Sequence, residues 1–176
     1  MNSPAGGEIR YRLADQQDET LLSQIHHIAA FAHSGVSPED IPPLEYALCD
    51  PQFNVYFRDW GRSGDTGVIA GDVTTQATVG AAWYRTYSRE EHQRILSRGV
   101  DIPPHEISIG VVPSYQRRGI GSTLLKYLMG QAEHDGIKTL GLGVSVNNPD
   151  ARRLYAHIGF TFLALIPGCE IMTAQL

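Results

Sequence analysis

Apolar residues recur along this chain with two different periods, and each period predicts one kind of element. Ile9, Tyr11 and Leu13 alternate with arginines, which is typical of a strand with one buried face. From about 15 to 32, apolar residues recur every three or four positions, which favours a helix capped by Asp15. The same two patterns predict strands at 67–70, 77–87, 105–112, 139–146, 161–166 and 170–174, and helices at 119–134 and 149–158.

Breaker residues divide the remaining segments. Residues 34–43 contain three prolines and end the first helix, and a second helix is predicted over about Leu44–Leu48 or as far as Asp59. A turn at Gly71-Asp72 is expected to join two strands, and the polar stretch 88–98 predicts a short helix. Strands dominate the middle of the chain, and strands alternate with helices in its second half. This order predicts an α/β (α+β mixed) protein with a mixed sheet and helices on its faces.

Length and composition narrow the class of protein. The 176 residues suit a single domain, expected over 8–176, with 1–7 as a flexible tail. The net charge of −5 argues against nucleic acid as a partner, because such binding relies on a basic surface. No apolar run approaches membrane-spanning length and no export signal is visible, so we expect a cytoplasmic protein with no membrane partner. Its two cysteines, Cys49 and Cys169, are expected to be reduced thiols.

The segment 106–122 has the composition of an anion site. An alternating strand ends at Pro113, and a helix follows a turn that contains Gly119 and Gly121. Free N–H groups and the helix dipole at such a start favour an anion, and two neighbouring arginines add positive charge. A diphosphate would suit this site, although a helix start with solvated arginines has the same pattern. The dinucleotide-binding glycine motif does not fit, because Leu124 stands where its third glycine would be.

Two motifs in this half of the chain resemble those of the GCN5-related N-acetyltransferase superfamily. The sequence Gln116-Arg117-Arg118-Gly119-Ile120-Gly121 is similar to its coenzyme A pyrophosphate loop. The run from Asn148 to Tyr155, followed by Gly159-Phe160, resembles its Asn-x-x-Ala-x-x-Leu-Tyr-x-x-x-Gly-Phe element. The resemblance implies the GNAT fold. That fold has a mostly antiparallel sheet of six to seven strands and about four helices on both faces, splayed between strands 105–112 and 139–146.

The resemblance also implies the cofactor and the residues that bind it. Acetyl-CoA would act as co-substrate, with its pyrophosphate on the glycine loop and its pantetheine arm in the splay, paired with the first of the two splayed strands. No metal is expected. The cofactor-binding residues carried over from the two motifs and that strand are Gly110, Val111, Val112, Gln116, Arg117, Arg118, Gly119, Ile120, Gly121, Ser122, Asn148 and Tyr155.

The implied reaction is direct attack of an amine on the thioester in a ternary complex. Tyr155 matches the residue that protonates the departing thiolate, although a core tyrosine with a satisfied hydroxyl has the same pattern. Backbone N–H groups at 110–112 would stabilise the oxyanion. Glu106 is the candidate base, with a solvated strand-edge glutamate as the alternative reading. His105, which strand alternation points the other way, and a chain of water molecules are alternatives for the base.

The acceptor is less constrained than the donor. We expect a primary amine of a small molecule, with a protein N-terminus or lysine as a second candidate and a non-catalytic acetyl-CoA sensor as a third. Acceptor selectivity is expected from about 31–46, and the long connection 88–104 is a candidate lid over the acceptor site. The sequence leaves a homodimer open.

Overall fold

The computed structural model describes residues 7–31, 36–94 and 99–176. Its strands are β1 (Ile9–Leu13), β2 (Thr66–Asp72), β3 (Thr78–Thr86), β4 (His105–Val111), β5 (Thr139–Ser145), β6 (Thr161–Ile166) and β7 (Cys169–Gln175). Its α-helices are α1 (Glu19–Phe31), α2 (Leu44–Ala47), α3 (Pro51–Asn54), α4 (Arg89–Arg94), α5 (Ile120–His134) and α6 (Pro149–Ile158). Short 3₁₀ turns lie at Gln16–Asp18, Pro38–Asp40 and Pro113–Tyr115.

The described strands form one sheet in the order β1-β2-β3-β4-β5-β7-β6. Neighbours are antiparallel except for β4 and β5, which are parallel. These two strands pair at Glu106 and Gly141 and then diverge, whereas β3 and β4 pair along seven positions. The predicted mixed sheet, and the predicted splay between its two central strands, are therefore confirmed.

Each face of the sheet carries its own hydrophobic core. On one face α5 and α6 bury Leu124, Leu125, Leu128 and Tyr155 against the strands. On the other face α1 and the segment after α2 pack around a separate cluster. That second cluster contains Leu22, Ile25, Ala47, Phe53, Phe57, Trp60, Ile69, Ala81 and Trp83. Because the splay separates β4 from β5, it connects the two faces in the middle of the sheet.

Most predicted element bounds agree with the structure to within about two residues. The predicted turn at Gly71-Asp72 is wrong, because both residues belong to β2 and the turn follows them. The Asp72 carboxylate accepts hydrogen bonds from the amides of Thr74 (2.8 Å) and Thr75 (3.1 Å), and these bonds stabilise a turn at 73–75 instead.

The region 44–59 contains two short helices where the sequence suggested one. Asp50 caps the second of them by accepting a hydrogen bond from the Gln52 amide at 2.8 Å, and Pro51 starts it. The first long helix ends at Phe31, and the predicted end at 32 lies outside the described residues. About four helices were expected and six are described, because the region 44–59 contains two short helices instead of one and α4 adds another.

The connection between β3 and β4 folds back over the sheet. It contains α4, and residues 95–98 of the predicted lid lie outside the described residues. Ile102 and Pro103 pack so closely on Gly141 that a Cβ there would lie 3.1 Å from Ile102 and 3.2 Å from Pro103. The connection therefore covers the narrow end of the splay, next to Glu106.

Candidate active site

A cleft runs along the open end of the splay. Its volume is about 610 Å³, within the range of small-molecule and cofactor sites. The walls come from α1, the end of β4, the start of α5 and one side of α6. The lining residues that the sequence predicted are Gly110, Val111, Gln116, Arg117, Gly119, Ile120, Gly121, Ser122, Asn148 and Tyr155.

The turn before α5 has the conformation of an anion cradle. Gly119 has φ +80° and Arg117 has φ +63°, so two nearby residues adopt the left-handed region. Free amides at the start of α5 then point out of the helix beside the cleft. Gly121 lies against Leu154, and a Cβ there would lie 3.2 Å from the Leu154 side chain. Small residues therefore let the backbone reach the cleft wall.

The arginines of the loop point in different directions. Arg117 lines the cleft, together with Arg153 from α6. Both contact Asp150 in the first turn of α6, and the Arg117–Asp150 distance is 3.6 Å. Arg118 instead stacks over the Tyr115 ring at 4.8 Å, outside the cleft lining. The described cleft lining therefore holds Arg117 and Arg153 beside the Asp150 carboxylate, and it does not include the predicted Arg118.

Tyr155 occupies the point where the cleft passes into a second, inner cavity. Asn148 caps α6 by accepting a hydrogen bond from the Ala151 amide at 3.1 Å, and Pro149 and Asp150 fill the first turn. This fixes the helix so that Tyr155 faces the sheet with 8% of its surface exposed. Burial raises the pKa of the Tyr155 phenol well above its usual value, so the hydroxyl keeps its proton.

The inner cavity has a volume of about 170 Å³ and lies deeper in the splay. Five residues line both this cavity and the cleft, namely Ala29, Ile109, Asn148, Ala151 and Tyr155. The far side of the cavity contains the carboxylate of Glu106 and the side chains of His26 and Tyr56. The remaining described walls are Ala30, Ile107, Ser108, Gly143, Val144 and Ser145.

Glu106 is buried, with only 2% of its surface exposed. The Tyr56 hydroxyl donates a hydrogen bond to its Oε1 atom at 3.2 Å, and His92 Nε2 lies 3.4 Å from its Oε2 atom. The alternative of a solvated strand-edge glutamate is therefore wrong. His105 lies on the opposite face, where its Nδ1 atom is 3.0 Å from the Thr86 hydroxyl, as strand alternation predicted.

Hydrogen bonds from β3 hold the segment that carries Tyr56. The Trp83 indole donates to the Tyr56 carbonyl at 2.8 Å. The His26 ring stacks on the Tyr56 ring with centroids 4.4 Å apart. Burial lowers the pKa of His26 to about 3, so this imidazole stays neutral next to the cavity.

Backbone groups on β4 divide between the two neighbouring strands. The Val112 amide donates to the Val79 carbonyl at 2.8 Å, so this N–H belongs to the β3 side. Because antiparallel strands alternate, the Val111 and Ile109 amides face the splay. The Val111 carbonyl also faces that side and accepts a hydrogen bond from the Gln116 side chain at 2.9 Å. Of the amides at 110–112, Val111 is the one directed at the splay.

Gly110 is required by packing rather than by a ligand. A Cβ at this position would lie 2.6 Å from the Ile25 carbonyl oxygen and 2.9 Å from the Ile25 side chain. The close approach brings α1, and with it His26, next to β4. Sequence reasoning missed His26, Tyr56, His92 and Arg153 as site residues, and only Arg153 belongs to a recognised motif segment.

Comparison with known proteins agrees with this geometry. Residues 33–160 match the model of the Acetyltransferase (GNAT) family. The [Ribosomal protein bS18]-alanine N-acetyltransferase of Escherichia coli (strain K12) is 43% identical over 53 residues, which are 30% of this chain and 36% of that protein. The chain thus matches about a third of the length of this curated relative.

Solved structures extend the similarity to the whole fold. The PaiA N-acetyltransferase from Thermoplasma acidophilum, in complex with coenzyme A, has a TM-score of 0.67 and 16% identity, over 96% of this chain and 99% of that one. The ribosomal-protein-alanine N-acetyltransferase from Brucella melitensis has a TM-score of 0.64 and 21% identity, over 95% of this chain and 99% of that one. With the family model matching most of the sequence, this chain belongs to the Acetyltransferase (GNAT) family.

Proposed function

We propose that the protein transfers an acetyl group from acetyl-CoA to the primary amine of a small molecule, by direct attack in a ternary complex. The observation that carries this proposal is the position of Tyr155. Its side chain lines both the outer cleft and the inner cavity that contains Glu106. A thioester at this boundary would have a proton donor on one side and a carboxylate on the other.

The outer cleft suits the donor. Its volume of about 610 Å³ accommodates an extended cofactor, and its mouth combines the α5 amides with Arg117 and Arg153. Amides at a helix start and guanidinium groups are the partners that phosphates prefer. The pantetheine arm would continue along β4, where the Val111 and Ile109 amides face the splay and can pair with it like an added strand. We assign stabilisation of the tetrahedral oxyanion to whichever of these amides the arm leaves unpaired.

The inner cavity suits the acceptor amine. A free alkylammonium has a pKa of about 10.4, so it must lose a proton before it attacks. Glu106 is the base in this proposal, because it is buried beside the cavity and held by Tyr56. Tyr155 then donates its proton to the departing thiolate. Two protons leave the nitrogen overall. One reprotonates Tyr155, and the other must leave the site.

The size of the inner cavity favours a small acceptor group, since about 170 Å³ admits little beyond the amine and its first carbons. A second candidate acceptor is the N-terminal amine of a protein. The match to the ribosomal-protein-alanine N-acetyltransferase supports this candidate, although it covers about a third of that relative. An extended N-terminus could place its first residue in the cavity and keep the rest of its chain outside.

An amine panel with free-thiol detection tests the proposal. The protein is mixed with acetyl-CoA and single amines, and both coenzyme A release and the acetylated product are measured by mass. Equal amounts of thiol and acetylated amine support the transfer. Thiol release without any acetylated amine would contradict it and would point to a binding protein with slow hydrolysis. A parallel reaction with labelled acetyl-CoA and short peptides separates the two acceptor classes.

A further inference from the structure

The contact between His92 and Glu106 is not used by the chemistry described above. His92 lies on α4, inside the connection between β3 and β4, and is buried with 6% of its surface exposed. Its Nε2 atom is 3.4 Å from Glu106 Oε2, whereas Tyr56 holds the other carboxylate oxygen. The two oxygens of this carboxylate therefore face two different environments.

A separate cavity lies on the far side of His92. Its volume is about 360 Å³, and His92 lines it together with Tyr87, Gln93, Asp101 and Pro104. Glu106 is absent from the described lining of this cavity, and His92 is absent from that of the inner cavity. The imidazole thus separates the carboxylate from a second space that the acceptor does not occupy.

Stoichiometry requires that one proton leave the site in each turnover. Acetyl transfer to an ammonium forms one N–C bond, breaks one C–S bond and releases one net proton. Glu106 takes that proton in the proposed mechanism and must lose it before the next turnover. The inner cavity is filled by substrate and product at that moment, so an exit through the opposite oxygen avoids the reacting groups.

The neighbouring groups are poorly suited to receive this proton. Burial raises the pKa of Tyr87 well above its usual value, and the charge of Glu106 raises it further. Burial lowers the pKa of His26 to about 3, so this ring resists protonation. Arg85 lies opposite Glu106 on the neighbouring strand β3, but its guanidinium forms an ion pair with Asp65 at 2.8 Å. Among the described residues, His92 remains, with its Nε2 atom 3.4 Å from the Oε2 atom of the carboxylate and a second cavity behind it.

We propose that His92 is a positioning residue that accepts the proton from Glu106 and passes it to solvent through the cavity that His92, Gln93 and Asp101 line. The inference rests on the proposed function. In the step, the Glu106 O–H bond breaks, an N–H bond forms at Nε2, and the carboxylate is regenerated. The imidazolium then loses a proton to water or buffer in the second cavity, so no oxidant or further reactant is needed.

Replacement of the imidazole followed by chemical rescue tests the proposal. We expect His92→Ala to lower kcat by about tenfold to a hundredfold and to leave the KM for acetyl-CoA unchanged, because the donor cleft is not touched. Imidazole and its methyl derivatives, added to the variant, should restore kcat in the order of their base strength. The cavity that His92 lines gives these molecules a route to Glu106. Glu90→Gln, an exposed change on the same helix, is the matched control and should keep wild-type kcat.

Several outcomes overturn the inference. A kcat for His92→Ala within twofold of the wild-type value would contradict the inference. Equal rescue by strong and weak bases would also contradict it, because that is the result expected if the added molecules only fill the cavity. If His92→Ala does not fold, His92→Gln keeps most of the volume without a basic nitrogen and should show the same loss. Glu106→Gln separates the two proposals. If Glu106→Gln is fully active, Glu106 is not the base, and the proposed function and the inference both fail. If Glu106→Gln is inactive and His92→Ala is fully active, only the proton transfer through His92 is contradicted.

Discussion

The buried guanidinium of Arg85 lies 2.8 Å from the carboxylate of Asp65, and both side chains are almost completely excluded from solvent. The same guanidinium donates hydrogen bonds to the carbonyls of Val55, Arg58 and Asp59. These carbonyls lie on the segment that carries Tyr56. The ion pair therefore anchors the wall of the inner cavity to β3.

Removal of this guanidinium should destabilise the protein and disturb the site together. Arg85→Met keeps the volume but leaves the Asp65 charge buried, so we expect a loss of about 3–5 kcal/mol in the free energy of unfolding. Urea denaturation measures this loss. Arg62→Met is the matched control, because the Arg62 side chain is 36% exposed and its Nε atom lies 3.8 Å from Asp65, so its loss should cost less than about 1 kcal/mol. A similar loss in both variants would contradict the anchoring role.

Replacement of Tyr155 by phenylalanine should separate chemistry from donor binding. The variant keeps the ring in the core and removes the proton donor, so we expect kcat to fall by about 10²–10⁴-fold with little change in the Kd for acetyl-CoA. Steady-state kinetics and titration calorimetry measure the two quantities. Unchanged turnover would remove Tyr155 from the acid role and leave it as a core residue.

A single methyl group in the left-handed turn before α5 should weaken the binding of acetyl-CoA. Gly119→Ala places a Cβ at φ +80°, at a cost of about 1–2 kcal/mol. The free loop would relax, and binding would have to restore its shape. We therefore expect the Kd for acetyl-CoA to rise by up to about tenfold, with kcat largely kept.

A glycine later in the same helix supplies the control for this change. Gly130 has nothing within 4 Å of a Cβ. Gly130→Ala should leave the Kd unchanged and raise the free energy of unfolding by about 0.5–1 kcal/mol. Equal Kd values for the two alanine variants would contradict the role of the turn.

The buried carboxylate of Glu106 should discriminate among acceptors. An α-amino acid would bring its own carboxylate into the inner cavity next to Glu106, and like charges there are costly. We expect phenylalaninamide to be acetylated with a kcat/KM at least about tenfold above that of phenylalanine. The two compounds also differ in the basicity of the amine, so kcat/KM is compared per unprotonated amine, with each amine titrated separately. Similar values on that basis would show that Glu106 is not near the bound amine.

His26 should make the fold sensitive to acid. Its pKa is about 3 in the folded protein and near 6.5 when unfolded. Between these values the unfolded state binds one more proton, so stability falls as pH falls through this window, by at most about 1.4 kcal/mol per unit. His26→Phe keeps an aromatic ring and should flatten this dependence. Urea denaturation at pH 7.5 and pH 5 measures it, and an unchanged slope would show that His26 titrates normally.

The sequence predicted residues that line the outer cleft, and it missed several that line the inner cavity or contact Glu106. The predicted residues lie in short motifs of the α5 loop and α6, where capping residues and glycines fix the backbone locally. Asn148 and Gly119 are examples. Tyr56 and His92 lie about 50 and 14 residues before Glu106, and no local pattern marks them. Their positions depend on tertiary contacts, such as the hydrogen bond from Trp83, that a single sequence does not reveal.

The divergence of β4 from β5 has a mechanical consequence. Since these strands meet at Glu106 and Gly141, the sheet consists of a four-strand half and a three-strand half joined at a narrow seam. The hydrophobic core under α5 spans both halves, whereas the described pairing of β4 with β5 is confined to this seam. A pantetheine arm that is hydrogen-bonded to β4 and packed against β5 would add contacts between the two halves. In the proposed function, the co-substrate would then stabilise the sheet as well as react.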